Sequence, residues 1–453
     1  MTRSLVRGDL VIPEAVLADG GLLIEDGRIA AVLDAAAATA VSDDVPVDDR
    51  RGRLILPGVV DAHVNSFSDP GETFAAATRA AAAGGVTTIV DMPYDEPEPI
   101  DDPDRLAAKI ARIPAEAVVD VALHGTLRPG TGGAALEAMV EAGACGFKVS
   151  MFETDPRRFP RVDAGDLRQI LAAGRRAGVT VGVHAEDGEI IGRLVAEARA
   201  AGRTAPLDHC LTRPTESETV AVAAAVELAL ATGARFHVFH ASTPETVRIL
   251  DAAKAAGADV TAETCPHYLV LDDADMAVLG ARGKINPPLR SAGQVAGNWD
   301  RLADGGYDMV TSDHAPWPIH RKQHPVIFNN ASGAPGVQTL APLILAEGWL
   351  GGRLSLLRVA QVLSENPANR FNLGHRKGRL AVGLDADYLV FDPAGRSLIT
   401  AATQLSRAGW TPYEGRSLPG AIEETVVRGQ AVCRSGGIVE GTRPGEFIPG
   451  RAA

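Results

Sequence analysis

The chain alternates short apolar runs with alanine-rich stretches over most of its length, and this alternation restricts the folds open to it. Short apolar runs are typical of buried strands, and the stretches between them have the length and composition of helices. A repeated strand–helix order predicts a parallel sheet, because neighbouring parallel strands need a long crossover. The eight candidate strands lie at 55–63, 87–91, 118–123, 146–149, 179–184, 235–240, 259–263 and 308–313.

Eight strands with helices between them predict an α/β fold, a (β/α)8 TIM-like barrel. Short strand-like runs with turn signals at both chain ends predict a small β-sandwich domain formed by the two ends together. We therefore expect a small β domain from residues 1–55 plus 380–453 and a barrel from residues 56–379. The length of 453 residues fits a barrel with appendages.

The amino-acid composition limits the kinds of binding partner that the protein can have. The net charge of −13 disfavours nucleic acid, whose phosphates require clustered lysine and arginine. The first residues of the sequence lack the continuous apolar core expected of a signal peptide, and no uncharged apolar run of about 18 residues occurs later, so we expect a cytoplasmic protein with no membrane contact. Its four cysteines form no CxxC pair, which favours reduced thiols. A small-molecule partner is expected.

Polar side chains end five of the predicted strands: His63, Lys148, His184, His240 and Asp313. Taken singly, each has a structural interpretation: a hydrogen-bonded histidine, a surface lysine or a helix N-cap aspartate. At equivalent positions of a barrel they would converge at the carboxyl ends of the strands, where barrel enzymes carry their chemistry. The recurrence favours a common site.

Neutral imidazole and carboxylate suit zinc or a similar divalent ion, which lowers the pKa of bound water. An unmodified ammonium would repel a cation, so Lys148 fits such a site only when it is deprotonated or carboxylated. In an extended strand, residue 65 faces the same way as His63. The chain has Asn65 there, whose amide oxygen is a neutral and weaker ligand than imidazole.

These motifs resemble those of the cyclic amidohydrolases of the amidohydrolase superfamily, the group that holds allantoinase, hydantoinase/dihydropyrimidinase and dihydroorotase. They occur in family order over almost the whole chain, which is far more specific than any single motif. The matching segments are PGVVDAH at 57–63, GGVTT at 84–88, GFK at 146–148, VHAE at 183–186, HVFHAS at 237–242, AETCPHY at 262–268, NPPLR at 286–290, TSDHAP at 311–316 and NPAN at 366–369.

The resemblance implies a metal-dependent hydrolase that opens a cyclic amide, a ureide, imide or lactam. A metal-bound hydroxide would attack the carbonyl, and Asp313 would act as general acid and base. Lys148, carboxylated, would bridge one or two divalent ions, with zinc as the expected metal. An assembly of four or two subunits is expected by analogy. The implied metal ligands are His63, Asn65, Lys148, His184, His240 and Asp313.

Asn65 departs from the family pattern, which has a second histidine there, and it leaves three alternatives open. The first is a dinuclear centre with Asn65 as a weak ligand or an outer group. The second is a single-metal enzyme that relies mainly on His184, His240 and Lys148. The third is a metal-poor, non-catalytic relative, comparable to the dihydropyrimidinase-related scaffold proteins. Retention of Asp313 disfavours the third.

Substrate choice is less constrained. Dihydroorotases carry an arginine shortly after their two histidines, and its absence here disfavours dihydroorotate. Hydantoinases place a tyrosine five residues after the lysine; this chain has Glu153, which cannot donate a hydrogen bond while ionised. Segments 299–308 and 410–416 are most similar to allantoinases, whereas Asn65 and Glu153 depart from them. We therefore expect an allantoinase-like enzyme that acts on allantoin or on a different cyclic ureide, imide or lactam, with hydantoinase or dihydropyrimidinase activity as an alternative.

Three further residues are candidates for substrate binding. Asn286 and Ser332 correspond to places where relatives bind the polar edge of the ring, although both residue types are also common in turns. Glu153 takes the place of the hydantoinase tyrosine, and its alternative interpretation is a solvated loop residue.

Overall fold

The computed structural model describes residues 3–42, 44–441 and 445–451. In these residues the chain folds into two eight-stranded sheets. The strands are β1 (Arg3–Val11), β2 (Val16–Glu25), β3 (Arg28–Leu33), β4 (Val47–Pro57), β5 (Val59–Val64), β6 (Val86–Asp91), β7 (Asp120–Gly125), β8 (Gly146–Ser150), β9 (Thr180–His184), β10 (Phe236–Val238), β11 (Val260–Thr264), β12 (Met309–Val310), β13 (Tyr388–Leu398), β14 (Ser417–Val427), β15 (Gln430–Arg434) and β16 (Gly437–Ile438).

The first sheet is built from both ends of the chain, in the order β16-β15-β14-β13-β4-β1-β2-β3. Its pairs are antiparallel except for β1 and β4, which run parallel. The hydrogen bonds between β4 and β13 join the two chain ends directly, from Leu54 opposite Phe391 to Pro57 opposite Tyr388. The sequence predicts a small β-sandwich domain formed by both chain ends; a separate sheet built from the two ends is confirmed, and the boundaries at 55/56 and 379/380 remain predictions.

The second sheet holds β5 to β12 in sequence order, and all of its pairs are parallel. The segment after β12 closes it against β5. His314 N donates to His63 O at 3.2 Å, and Asn65 N donates to His314 O at 2.9 Å. The predicted TIM-like barrel is thus confirmed, and its closure lies directly beside the predicted metal ligands.

Helices cover the outside of the barrel strands, so that β6 and β7 are buried along their whole length. The helix ends carry residue types that commonly cap helices. Asp163 and Asp187 accept backbone hydrogen bonds at the starts of α6 (Ala164–Ala177) and α7 (Gly188–Ala200), and Gly178 ends α6 with φ of 70°. The helices are α1 (Ala35–Thr39), α2 (Thr73–Ala83), α3 (Pro103–Ile110), α4 (Ile113–Glu116), α5 (Ala134–Glu141), α6 (Ala164–Ala177), α7 (Gly188–Ala200), α8 (Pro206–Leu211), α9 (Thr215–Thr232), α10 (Pro244–Ala255), α11 (His267–Val270), α12 (Met276–Leu279), α13 (Ala292–Ala303), α14 (Leu340–Leu343), α15 (Leu356–Ala360) and α16 (Asn366–Arg370).

One strand prediction is wrong in its extent. The sequence predicts a single barrel strand over residues 55–63, but the structure divides this run at Gly58 between β4 and β5. Ile55 pairs with Leu10 and Val390 in the chain-end sheet. An apolar run has the same sequence pattern whether it lies in one buried sheet or passes from one sheet to another, so the pattern alone does not show where the chain leaves the first sheet.

No helix in the described ranges is long and apolar enough to cross a membrane.

Candidate active site

Five barrel segments bring the predicted polar side chains to one end of the sheet. His63 lies near the end of β5, Lys148 within β8 and His184 at the end of β9. His240 lies two residues after β10, and Asp313 lies three residues after β12. All five are buried. Because parallel strands end at the same rim, residues far apart in sequence meet there, as expected for a barrel site.

His240 and Asp313 have an uncommon backbone conformation. Their φ angles are 41° and 45°, in the left-handed region that residues other than glycine rarely adopt. Each follows the end of its strand, so the left-handed residue turns the chain and changes the direction of its side chain. Backbone strain of this kind is concentrated at functional sites.

His63 connects Lys148 and Asp313. The Nε2 atom of His63 lies 2.6 Å from Lys148 Nζ and 3.0 Å from Asp313 Oδ1. Among the described residues Lys148 makes no salt bridge with a carboxylate; its ammonium lies 4.9 Å from the ring centroid of Phe239. A buried amine next to an imidazole is unfavourable as a cation, and burial lowers the pKa of Lys148.

His184 and His240 form the other half of the group. His184 Nδ1 lies 2.9 Å from His240 Nε2, and the ring centroids of His63 and His240 are 5.3 Å apart. The Nδ1 atom of His240 is buried and has no hydrogen-bond partner within the described chain. Burial and the nearby His184 hold the pKa of His240 well below its usual value, so this imidazole is neutral, the form that binds a metal.

Two buried carboxylates, Glu263 and Glu186, each contact one ring nitrogen of His63 and His184, respectively. His63 Nδ1 lies 2.5 Å from Glu263 Oε1, and His184 Nε2 lies 2.7 Å from Glu186 Oε2. Burial disfavours the charge of Glu186, but Arg213 and His184 outweigh it and lower its pKa to about 2. A carboxylate behind a histidine fixes the ring and leaves its other nitrogen for a metal.

Asp313 is ionised in this environment. Burial alone would raise its pKa, but the adjacent His63 and Lys148 outweigh burial and hold the pKa below its usual value. The donor set therefore consists of imidazole nitrogens, a carboxylate and a lysine amine next to them. This set fits a divalent ion, particularly if Lys148 carries a carboxylate of its own.

Asn65 lies beside this group and also takes part in closing the barrel. Its side-chain Nδ2 donates to His314 O at 3.0 Å, the same carbonyl oxygen that its backbone N–H reaches. The side chain is 8% exposed and lines the central cavity. The amide oxygen is thus the atom that Asn65 offers to the cavity.

A cavity of about 420 Å³ opens over the group. This volume suits a small molecule rather than a polymer. The predicted ligands Asn65, Lys148, His184, His240 and Asp313 contribute to its wall. Other lining side chains include Tyr94, Phe152, Arg158, Phe159, Arg213, Lys284, Trp317, Arg321 and Phe328.

The three predicted substrate-binding residues differ in where they lie. Asn286 and Ser332 line the cavity, and Asn286 Oδ1 is buried without a hydrogen-bond partner among the described residues. Glu153 is exposed and does not line the cavity; its carboxylate accepts a hydrogen bond from the backbone N–H of Arg161 at 2.9 Å. The structure therefore places Glu153 as a loop residue, the alternative interpretation of its position.

Sequence reasoning assigned no role to Glu186, Glu263 or Arg213. The first two lie inside the quoted motifs, and Glu186 follows His184 by two residues, a spacing that puts both on one face of an extended segment. That spacing could have predicted the contact between Glu186 and His184. Arg213 follows α8 and reaches Glu186 only through the fold, so local sequence carries no signal for it.

A second acidic group lies elsewhere, where Asp120, Asp385 and Asp387 approach one another closely. Lys377 Nζ lies 2.8 Å from Asp385 and 2.6 Å from Asp387, and it also contacts Asp120. An ammonium thus already occupies the position that a cation would take. This group is a buried ion-pair network.

The fold and the site define a class, the barrel hydrolases that use a metal at the carboxyl ends of their strands. Residues 54–432 match the model of the amidohydrolase family. The chain belongs to the amidohydrolase family, and the resemblance inferred from its motifs is confirmed.

Relatives within the family cover nearly the whole chain. An allantoinase from Rubrobacter xylanophilus is 37% identical over 445 residues, 97% of each protein. A dihydroorotase from Halobacterium salinarum is 38% identical over 411 residues, 89% of this chain and 92% of that protein. The solved structure of L-hydantoinase (dihydropyrimidinase) from Arthrobacter aurescens has a TM-score of 0.94 at 31% identity and covers 99% of this chain and 100% of that one.

Proposed function

We infer that this protein is a metal-dependent hydrolase that opens a cyclic amide by breaking a carbon–nitrogen bond, and that its substrate is allantoin-like. Lys148, His184, His240 and Asp313 line one small cavity, and His63 contacts both Lys148 and Asp313; this arrangement carries the conclusion. The similarity to allantoinases along the chain supports the choice of substrate.

The chemistry follows from the donor set. A divalent metal bound there would polarise the amide carbonyl and make a bound water more acidic. Asp313, held ionised 3.0 Å from His63, is placed to accept a proton from the attacking water. It would return that proton to the ring nitrogen as the C–N bond breaks, and the water's second proton would pass to solvent, which leaves a carboxylate and a free N–H group on the opened product.

The ligands and their modification are part of the proposal. His63, Asn65, Lys148, His184, His240 and Asp313 would hold one or two ions, with zinc the expected metal. Carboxylated Lys148 would convert an unfavourable cation into an anionic ligand, and its lack of a carboxylate partner within the described residues supports this. Intact mass spectrometry in bicarbonate buffer would detect the added carbon dioxide, and a crystal structure would locate it.

Asn286 and Ser332 are proposed to contact the polar edge of the ring. Both line the cavity, and the unpartnered oxygen of Asn286 can accept a ring N–H. For Asn286→Ala we expect a rise in KM that exceeds the fall in kcat, because the contact exists before the bond breaks.

Assays with metal-loaded protein test the main proposal. Allantoin, hydantoin, a dihydropyrimidine and a cyclic imide should be compared, with allantoin expected to be the best substrate. Asp313→Asn should lower kcat by about 10²-fold or more, because proton transfer loses its acceptor. Failure to hydrolyse any of the four, or equal rates for the wild type and Asp313→Asn, would refute the proposal.

A hydantoinase is the second candidate, and the TM-score of 0.94 to L-hydantoinase favours it. The same assay separates the two, because hydantoin would then be the better substrate. A non-catalytic scaffold predicts no hydrolysis.

We also propose a cytoplasmic location, which the four buried free cysteines support. We further propose an assembly of two or four subunits, which light scattering would measure.

A further inference from the structure

We propose that the two metal positions of this site are unequal, one binding its ion tightly and the other weakly and exchangeably. The inference rests on the proposed function, since it uses the same ligands. The tight position consists of His184, His240 and Lys148. The weak position consists of His63, Asp313 and Asn65, with Lys148 shared.

Barrel closure sets the orientation of the Asn65 amide. Its backbone N–H and its Nδ2 both donate to His314 O, at 2.9 Å and 3.0 Å. A rotation of the amide by half a turn would put Oδ1 against this carbonyl oxygen, where no proton lies between two acceptors. Nδ2 is therefore engaged with this carbonyl oxygen, and Oδ1 is the polar atom of the side chain left to bind an ion.

An amide oxygen is a poor zinc ligand compared with imidazole nitrogen, because it is neutral and hard whereas zinc favours nitrogen and sulfur. The tight position keeps two imidazoles, and Glu186 orients His184. The weak position keeps His63, which Glu263 orients in the same way. Asp313 gives the weak position a carboxylate, so this position offers one imidazole and two oxygen ligands beside Lys148, whereas the tight position offers the two imidazole nitrogens that zinc favours.

Unequal affinity has a consequence for occupancy. The tight position remains filled when free metal is removed, whereas the weak position fills only when free metal is abundant. The number of ions per chain therefore follows the metal concentration, and the site changes between one and two ions without any change of fold.

Zinc stoichiometry tests the proposal. Zinc-loaded wild type, dialysed into metal-free buffer, should keep one zinc per chain by mass spectrometry of the metal. Asn65→His should keep two, because an imidazole can donate Nδ1–H to His314 O and present Nε2 to the ion. Competition with a chelating dye should show that the dissociation constant for the second zinc is lower in Asn65→His than in the wild type by about tenfold or more.

Two further variants make the test specific. Gln294→His adds an imidazole on the outer helix α13 and should retain one zinc, like the wild type. Asn65→Cys supplies a thiolate, a ligand that zinc favours, places no second acceptor against His314 O and should also raise retention to two, which keeps the test informative if Asn65→His does not fold. Circular dichroism verifies folding of each variant.

The outcomes separate this inference from the proposed function. Two equally tight zincs in the wild type, none retained, or the same stoichiometry in wild type and both Asn65 variants would overturn it. One retained zinc without hydrolysis of any cyclic amide would refute the proposed function and leave the unequal positions established.

Discussion

At the scale of single residues, Glu186 connects the proposed metal ligand His184 to Arg213. It is fully buried, contacts His184 Nε2 at 2.7 Å and pairs with Arg213 at 2.5 Å. Its charge fixes which nitrogen of His184 carries the proton, and so which nitrogen remains free for an ion. Glu186 thus acts on the site without lining the cavity.

Glu186→Gln should weaken zinc binding by about 10- to 100-fold, because the neutral amide no longer orients His184. A competition titration with a chelating dye measures the change. Glu218→Gln is the matched control: Glu218 is also buried and pairs with an arginine, Arg290, but it contacts no predicted metal ligand. An equal loss of zinc affinity in both variants would contradict the role of Glu186.

At the scale of elements, the passage from β4 to β5 connects the two sheets through Gly58. A Cβ at this position would overlap the buried side chain of Thr87 in β6. The absence of a side chain lets the chain leave the chain-end sheet and enter the barrel at close range. Residue 58 is therefore restricted by neighbours from another strand.

Gly58→Ala should destabilise the protein by about 1–3 kcal/mol, because Thr87 is fully buried and its branched side chain has little room to move. Urea unfolding measures the change. Gly192→Ala is the matched control, since Gly192 lies in helix α7 with no atom within 4 Å of an added Cβ. It should stabilise by about 0.5–1 kcal/mol. Equal effects of the two substitutions would contradict this account.

At the scale of the whole molecule, a buried ion-pair network joins the barrel to the chain-end sheet. Asp120 begins β7, whereas Asp385 and Asp387 lie just before β13. Lys377 contacts all three, and Arg428 adds a second cation at Asp120. Removing one member of a buried ion pair leaves its partner uncompensated, which costs more than the pair contributes.

Lys377→Met should therefore destabilise the protein by about 3–5 kcal/mol at pH 7. Burial already raises the pKa of Asp387, and the ammonium of Lys377 opposes this rise; without the ammonium the pKa of Asp387 rises further, so its protonation restores part of the stability at low pH. The difference from wild type should grow from pH 5 to pH 8 in urea unfolding. Lys254→Met, which breaks the partly exposed pair with Asp308, should cost about 1 kcal/mol or less. A pH-independent loss in Lys377→Met would refute the account.

Those residues of the candidate site that lie at the ends of strands could be predicted from the sequence pattern of the strand itself. Apolar runs end, or nearly end, at each of the five predicted residues, and the structure brings all five together: His63, Lys148, His184, His240 and Asp313. Glu153 was named as a substrate residue from its position relative to Lys148, but its loop turns it toward Arg161. Spacing along the chain predicts direction in a strand and does not predict it in a loop.

The sequence by itself determined the order of strands and helices, the two-sheet plan and the chemistry at the strand ends, because these follow from local periodicity and residue type. Only the tertiary structure decided which atom of Asn65 faces the cavity and where the chain passes between the two sheets. It also decided which carboxylates contact the histidines. Asn65 meets His314 across 249 residues, and His63 meets Glu263 across 200. Contacts over such separations arise from barrel closure, which no short segment encodes.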